Sequence, residues 1–138
     1  MGQEIDRKQA EALRGFLSER RGEWLALTRR IVEIESPSGD EEGSRAVVGL
    51  LAEVARGIEG VANVERLKSE NYGEHLRLRA FNDAGGEGSL LIVGHTDTVH
   101  PRGSLRERPW REEGGRIYGP GIFDMKANCS LVILALRA

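Results

Sequence analysis

Apolar residues recur every three or four positions along the first quarter of the chain. Within residues 5–34 this spacing predicts amphipathic helix, which Gly22 divides into two. The bulky side chains on this face are interpreted as core packing that needs no cofactor. The apolar positions are Leu13, Phe16, Leu17, Trp24, Leu27, Ile31 and Ile34.

Residues 35–40 form the predicted turn that follows, because Pro37 disfavours helix at the residue before it. Ser38 followed three residues later by Glu41 is a capping-box pattern. We therefore predict that Ser38 caps a helix running to about Arg56. An alternative interpretation, in which Ser38 and Asp40 line a functional site, needs more assumptions than the capping role.

The middle of the chain predicts strands. Residues 61–67 and 75–81 have strand character, and the second segment alternates polar and apolar residues as a half-exposed strand does. His75 lies on its polar side and is interpreted as a surface residue. Residues 82–89, rich in glycine, predict a loop, and residues 110–118 predict a hairpin that turns at Gly114 and Gly115.

Residues 90–99 are the stretch around which the chain is organised. Four successive apolar residues, Leu-Leu-Ile-Val, lead into Gly94, His95 and Asp97. Such a run predicts a strand buried on both faces, as in a parallel α/β sheet. Residues two apart on a strand share a face, so His95 and Asp97 converge at its carboxyl end. Ligands of open α/β sheets bind at that edge.

A second carboxylate, Asp124, follows the Gly/Pro turn at residues 119–121 and precedes the apolar stretch 129–136, which predicts a helix. An imidazole and two carboxylates at such junctions are the ingredients of a zinc or dizinc site. His95 would be a ligand that Asp97 orients from behind, or Asp97 would itself bind metal. The residues alone leave both assignments open.

Five segments together resemble the M20 family of zinc aminoacyl-hydrolases, and within it the glutamate carboxypeptidase branch. They are residues 94–99, 103–105, 109–110, 116–121 and 124–127. The resemblance implies that His95 ligates one zinc, that Asp97 is the catalytic aspartate orienting it, and that Asp124 bridges two zincs. It also implies a cis peptide bond between Asp124 and Met125. It runs from about Trp24 to the end of the chain, and departs from the family where Asn128 replaces a usual glycine.

The fold implied by the resemblance is α/β, a three-layer sandwich with a mixed, largely parallel sheet. Residues 1–138 would be the N-terminal portion of the catalytic domain. The general base, the remaining ligands and the dimer-forming domain would then lie beyond Ala138. Glu112 and Glu113 look like the family's glutamate pair, but they precede Asp124 and belong to the hairpin, and the family has no ligand at His100.

The activity implied by the resemblance is hydrolysis of an amide or peptide bond next to a free amino-acid carboxylate, with two zinc ions in the intact enzyme. Its partners would be a small peptide or N-acyl amino-acid substrate and, at full length, a second copy in a homodimer. An N-acyl-amino-acid deacylase or dipeptidase of the same family is one alternative. A truncated, non-catalytic binding or vestigial protein is another.

The number of metal ligands in this chain limits how well it can bind zinc alone. Catalytic zinc needs about three protein ligands, whereas this chain offers His95 and Asp124, with Asp97 in support. We therefore expect weak zinc affinity and no turnover from the 138 residues. An incomplete sheet would also expose apolar surface and favour association.

The composition narrows the class of protein to which the chain can belong. Hydrophobic residues make up 39% of the 138 residues, charged residues 30%, and the formal net charge is −2. These values are typical of a single soluble globular domain and give no case for nucleic-acid or membrane binding. The single cysteine, Cys129, excludes an internal disulfide and a Cys-based zinc site, and is interpreted as a small buried thiol. With no signal-peptide pattern at the N-terminus, we expect a cytoplasmic enzyme.

Overall fold

The computed structural model describes residues 5–82 and 88–138 and has mixed α/β content. A π-helical turn, Ile122–Lys126, lies directly before the last helix. Most of the predicted loop 82–89 lies outside the described residues. In chain order the elements are α1 (Arg7–Glu19), α2 (Arg21–Val32), α3 (Glu41–Arg56), β1 (Val61–Ser69), β2 (Gly73–Ala80), α4 (Ser104–Glu107), β3 (Arg111–Glu113), β4 (Arg116–Tyr118) and α5 (Ala127–Ala135).

The N-terminal helical region divides into two helices as predicted, but at Arg20 rather than at Gly22. Asp6 begins α1 with a capping box, because its side chain accepts from the Gln9 N–H while the Gln9 side chain accepts from the Asp6 N–H. No residue of α1 is buried, so the core-packing interpretation is wrong for Leu13. It is right for Ile31 on α2, which is fully buried.

The core lies where α3 packs against the β1–β2 hairpin, α2 and α5. Helix α3 is amphipathic and buries one face along most of its length. The inner faces of the two strands add partly buried Val64, Leu76 and Leu78. The buried core cluster comprises Ile31, Val47, Leu51, Ala55, Ile58 and Ile133.

The two strands predicted in the middle of the chain are formed, and the hairpin predicted at residues 110–118 is confirmed. Strands β1 and β2 are antiparallel, with Val64 opposite Leu78, and His75 is exposed on the polar side of β2 as expected. Strands β3 and β4 are antiparallel around Gly114 and Gly115. Both glycines have positive φ, 58° and 73°, which the tight turn of a two-residue hairpin loop requires.

The strand predicted at residues 90–99 is not formed. Apart from a parallel bridge between Thr98 and Pro37, the segment pairs with no strand in the described part of the chain. Leu90, Leu91, Ile92 and Val93 are 88%, 83%, 57% and 77% exposed as whole residues. The prediction fails because a strand needs a hydrogen-bonded neighbour, which an apolar run cannot supply by itself. The exposed apolar surface expected of an incomplete sheet is, however, present.

The sheets differ correspondingly from the expected layering. Within residues 5–82 and 88–138 they are two antiparallel pairs, β1–β2 and β3–β4, so the α/β class holds while a parallel sheet is not formed. None of the helices in this described portion is long and apolar enough to cross a membrane.

Close backbone contact at Gly43 joins the start of α3 to the turn that follows α2. A Cβ atom on Gly43 would lie 2.3 Å from the Glu35 carbonyl oxygen and 2.8 Å from Ser36 Cα. Because both are backbone atoms, neither can move aside without shifting the turn. Gly49, on the same helix, would meet only the Arg66 guanidinium, at 3.5 Å.

We predict opposite effects of alanine at these two positions. Gly43→Ala should lower the free energy of unfolding by about 1–3 kcal/mol, the usual cost of overpacking. The matched variant Gly49→Ala should raise it by up to about 1 kcal/mol, because alanine favours helix. Urea denaturation measures both. A Gly43→Ala chain as stable as the wild type would contradict the close packing of α3 on residues 35–36.

Candidate metal centre

The three site residues predicted from the sequence lie together. His95 Nε2 is 2.9 Å from Asp124 Oδ1. On the other side of the ring, His95 Nδ1 is 3.1 Å from the Asp97 carbonyl oxygen and 3.2 Å from Asp97 Oδ1. The imidazole thus lies between two aspartates, each at one ring nitrogen, with about half of its surface open to solvent.

Residues 94–95 lie against the start of α5. The His95 N–H points at Met125 Sδ at 3.4 Å, and Cys129 Sγ donates to the His95 carbonyl at 3.2 Å. A Cβ on Gly94 would lie 3.0 Å from Met125 Cε. The absence of a side chain at 94 therefore gives Met125 the room to pack beneath the histidine.

The turn after α2 holds the backbone on either side of Asp97. The Thr98 N–H donates to the Ser36 carbonyl at 2.9 Å, and the Ser38 N–H donates to the Thr98 carbonyl at 3.0 Å. Ser36 Oγ donates to the Thr96 carbonyl at 2.8 Å. Residues 36–38 and 96–98 therefore run side by side, although about sixty positions separate them in the sequence.

Ser38 does not cap α3 as predicted. The N-cap is Asp40, whose carboxylate accepts from the Gly43 N–H at 2.8 Å. Asp40 immediately precedes the first helical residue, whereas Ser38 lies two positions too early to reach the free N–H groups. The Ser38 hydroxyl instead donates to Asp97 Oδ2. The only sequence signal for this contact was the alternative that Ser38 lines a site.

Asp124 lies in the irregular turn at the start of α5, which a buried lysine ties to α2. Lys126 is 1% exposed, and its Nζ donates to the carbonyls of Ile34 and Ile31 at 2.5 Å and 3.1 Å. The last carbonyls of a helix have no partner within it and attract cations. Burial lowers the pKa of Lys126 to about 8. Sequence reasoning missed this residue, because its partners are more than ninety positions away.

Helix α5 is joined to α2 along its first turn. Trp24 Nε1 donates to the Ala127 carbonyl at 3.2 Å, and the hydroxyls of Thr28 and Ser130 are 2.6 Å apart in the buried interface. Helix α5 begins at Ala127, so Asp124 lies shortly before the start of a helix, as predicted. The Asp124–Met125 peptide bond is cis, as the resemblance implies.

The two aspartates set the charge state of the site. Burial alone would lower the pKa of His95, but hydrogen bonds to Asp124 and to the Asp97 backbone, with both negative charges, raise it. The Ser38 hydroxyl and the nearby imidazole hold the pKa of Asp97 below its usual value, against the effect of desolvation. A carboxylate on each side of the ring favours a cation between His95 and Asp124.

The donor set fits zinc chemically. An imidazole Nε2 and a carboxylate are common zinc ligands, and Asp97 at Nδ1 occupies the place of the carboxylate that orients a ligating histidine. Within residues 5–82 and 88–138, however, no group of three or more His, Cys, Asp or Glu side chains is arranged to hold a metal ion. The pair His95 and Asp124 is thus a partial site.

The other residues weighed from the sequence have separate environments. Glu112 accepts from Trp110 Nε1, and Glu113 pairs with Arg111, both on the exposed surface of the β3–β4 hairpin. Cys129 is half-buried rather than fully buried, and burial raises the pKa of its thiol. No catalytic role had been expected for any of these residues.

Glu35 fixes the loop that leaves the site. Its carboxylate accepts from the N–H groups of Gly103 and Leu105, each at 2.9 Å, at the start of α4. These two hydrogen bonds, reinforced by the charges of Arg102 and Arg106, hold the pKa of Glu35 below its ordinary value against desolvation.

We predict that this carboxylate contributes pH-dependent stability. Because its pKa is lower in the folded chain than in the unfolded chain, the contribution is present above the unfolded pKa of about 4.3 and is lost as the pH falls through the folded pKa. Glu35→Gln should therefore lower Tm at pH 7, and the difference from wild type should shrink in acid. Thermal unfolding across pH tests this, with exposed Glu59→Gln as the control. A difference that stays constant with pH would contradict it.

The candidate site lies in a part of the chain that is similar to a known protein family. Residues 91–138 match the profile described as peptidase family M20/M25/M40, and this span contains His95, Asp97 and Asp124. The similarity is thus to a family of hydrolases, and it centres on the segment that forms the candidate metal centre.

Individual relatives carry different activities in their names. Carboxypeptidase G2 of Pseudomonas sp. (strain RS-16) is 28% identical over 113 residues, which cover 82% of this chain and 27% of that protein. Succinyl-diaminopimelate desuccinylase of Corynebacterium glutamicum is 30% identical over 112 residues, covering 81% of this chain and 27% of the relative. Acetylornithine deacetylase of Proteus mirabilis is 44% identical over 55 residues, or 38% and 14% of the two chains.

The chain spans about a quarter of the length of the first two of these relatives. Their names describe a carboxypeptidase and a desuccinylase, and the third describes a deacetylase. The similarity therefore reaches relatives whose named activities differ, and it does not select one of them.

Proposed function

We propose that this chain belongs to a zinc-dependent hydrolase of the M20 type that cleaves an amide or peptide bond next to a free amino-acid carboxylate. The observation that carries the proposal is the position of His95, with Nε2 2.9 Å from Asp124 and Nδ1 against Asp97. This is the order of groups in a metal site whose histidine is oriented by an acid.

Each site residue has a distinct role in the proposal. His95 would hold zinc through Nε2, and Asp124 would hold it through its carboxylate. Asp97 accepts from Nδ1–H, which keeps the Nε2 lone pair directed at the metal and makes the imidazole a stronger ligand. Zinc, when bound, supplies Lewis acidity and lowers the pKa of water.

The proposal extends to the fold and the assembly. We take residues 1–138 as the N-terminal portion of a three-layer catalytic domain, in which residues 90–93 belong to a mixed, largely parallel sheet, and the full-length enzyme as a cytoplasmic homodimer. The exposure of Leu90 and its three apolar neighbours supports the sheet, because such a run is stabilised by burial on both faces.

Two alternatives have specific support. An N-acyl-amino-acid deacylase or dipeptidase of the same family fits equally well, since the relatives include a desuccinylase and deacetylases. A non-catalytic binding or vestigial protein is favoured by the lack of a third ligand among the described residues. A reading frame that continues past the codon for Ala138 and encodes a Glu-Glu pair would favour the enzyme, and an immediate stop would favour the non-catalytic alternative.

We predict that zinc binding depends on the residues at the two ring nitrogens. Isothermal titration of the metal-free chain should show weak binding that His95→Gln and Asp124→Asn each abolish, because each removes a ligand. Asp97→Asn should weaken binding about 10- to 100-fold, the usual effect of an outer partner. His75→Gln, on the exposed face of β2, is the matched control. Wild-type affinity in His95→Gln would overturn the proposed metal centre.

We also predict that the 138 residues do not turn over substrate. About three protein ligands and a general base are needed, and the described residues supply two ligands. The measurement is amino-acid release from N-acyl amino acids and dipeptides by a chelator-treated, zinc-reconstituted sample. Release above that of the Asp124→Asn control would contradict the prediction, and the preferred substrate would then decide between the peptidase and deacylase alternatives.

A further inference from the structure

We infer that Ser38 is a positioning residue for the metal centre, which holds the Asp97 carboxylate in the orientation that His95 needs. This inference rests on the proposed function and deepens it. It assigns a role to a side chain that lies outside the matched span 91–138 and that no pattern in the sequence connects to the histidine.

The two oxygens of the Asp97 carboxylate have different partners. The Ser38 hydroxyl donates to Oδ2, whereas Oδ1 lies 3.2 Å from His95 Nδ1. A carboxylate held at one oxygen cannot rotate freely about its Cβ–Cγ bond, so the other oxygen stays directed at the ring. Without the hydroxyl, Asp97 is half-exposed and would be able to turn towards water.

The backbone of Ser38 is held in place independently of its side chain. Its N–H donates to the Thr98 carbonyl at 3.0 Å, and the neighbouring Asp40 caps α3 and pairs with Arg102. The Ser38 residue itself is exposed. Removing its hydroxyl therefore creates no cavity and no lost cap, and its effect should fall on Asp97 rather than on the fold.

A double-mutant cycle with Asp97 separates positioning from structure. The zinc dissociation constant of the 138-residue chain is measured by isothermal titration for Ser38→Ala, Asp97→Asn and the double variant. Ser38→Thr keeps the hydroxyl, and Ser38→Val has the same shape without it. Exposed Ser18→Ala on α1 is the control, and Tm of each metal-free variant reports the fold.

The expected result is a loss of zinc affinity of about tenfold in Ser38→Ala and Ser38→Val, the lower end of the range for outer partners of a metal ligand. Ser38→Thr and Ser18→Ala should bind as the wild type does. In the Asp97→Asn background, Ser38→Ala should have no further effect. Tm of the metal-free variants should stay unchanged.

Three outcomes would overturn the inference. The first is wild-type zinc affinity in both Ser38→Ala and Ser38→Val together with loss of binding in His95→Gln. That result would contradict the role of Ser38 but would still support the metal centre. The same fold-loss with and without the Asp97 carboxylate would show that Ser38 acts by another route. Zinc binding that His95→Gln leaves intact would overturn the metal centre and the positioning role together.

Discussion

The candidate metal centre depends on one short stretch, residues 31–38, which contacts both segments that carry its side chains. The carbonyls of Ile31 and Ile34 accept from buried Lys126, which fixes the turn that carries Asp124. Residues 36–38 pair with residues 96–98 and so fix the segment that carries Asp97. Burying an ammonium group is costly unless it is hydrogen-bonded, and the carbonyls of Ile31 and Ile34, in the last turn of α2 and just beyond it, offset that cost.

The two nitrogens of the imidazole explain why two aspartates can lie so close to one ring. Each acid approaches a different nitrogen, so their charges are separated by the width of the ring, and a proton on the ring neutralises part of the repulsion. The raised pKa of His95 reflects this arrangement. A zinc ion held by His95 Nε2 would take the place of the proton there, so metal and proton would compete for the same position.

Sequence patterns predicted the helices and strands that are determined by residues close together in the chain. The period of α2 and α3, the alternation in β2 and the glycines between β3 and β4 each lie within a few residues, and these elements formed as expected. The pattern at Ser38 was local too, but Asp40 was better placed for the cap. The contacts of Ser38 with Asp97 and of Lys126 with α2 span 59 to 95 positions, so no local pattern contains them.

The failed strand at residues 90–99 clarifies what the site requires. The convergence of His95 and Asp97 was predicted from the alternation of side chains along a sheet strand, yet the two residues meet although their segment has no ladder among the described residues. The parallel bridge at Thr98 and the hydroxyls of Ser36 and Ser38 supply the constraint instead. The candidate centre therefore depends on side-chain hydrogen bonds to the turn after α2. Its residues stay together even though the exposed run at residues 90–93 has no neighbouring strand among the described residues.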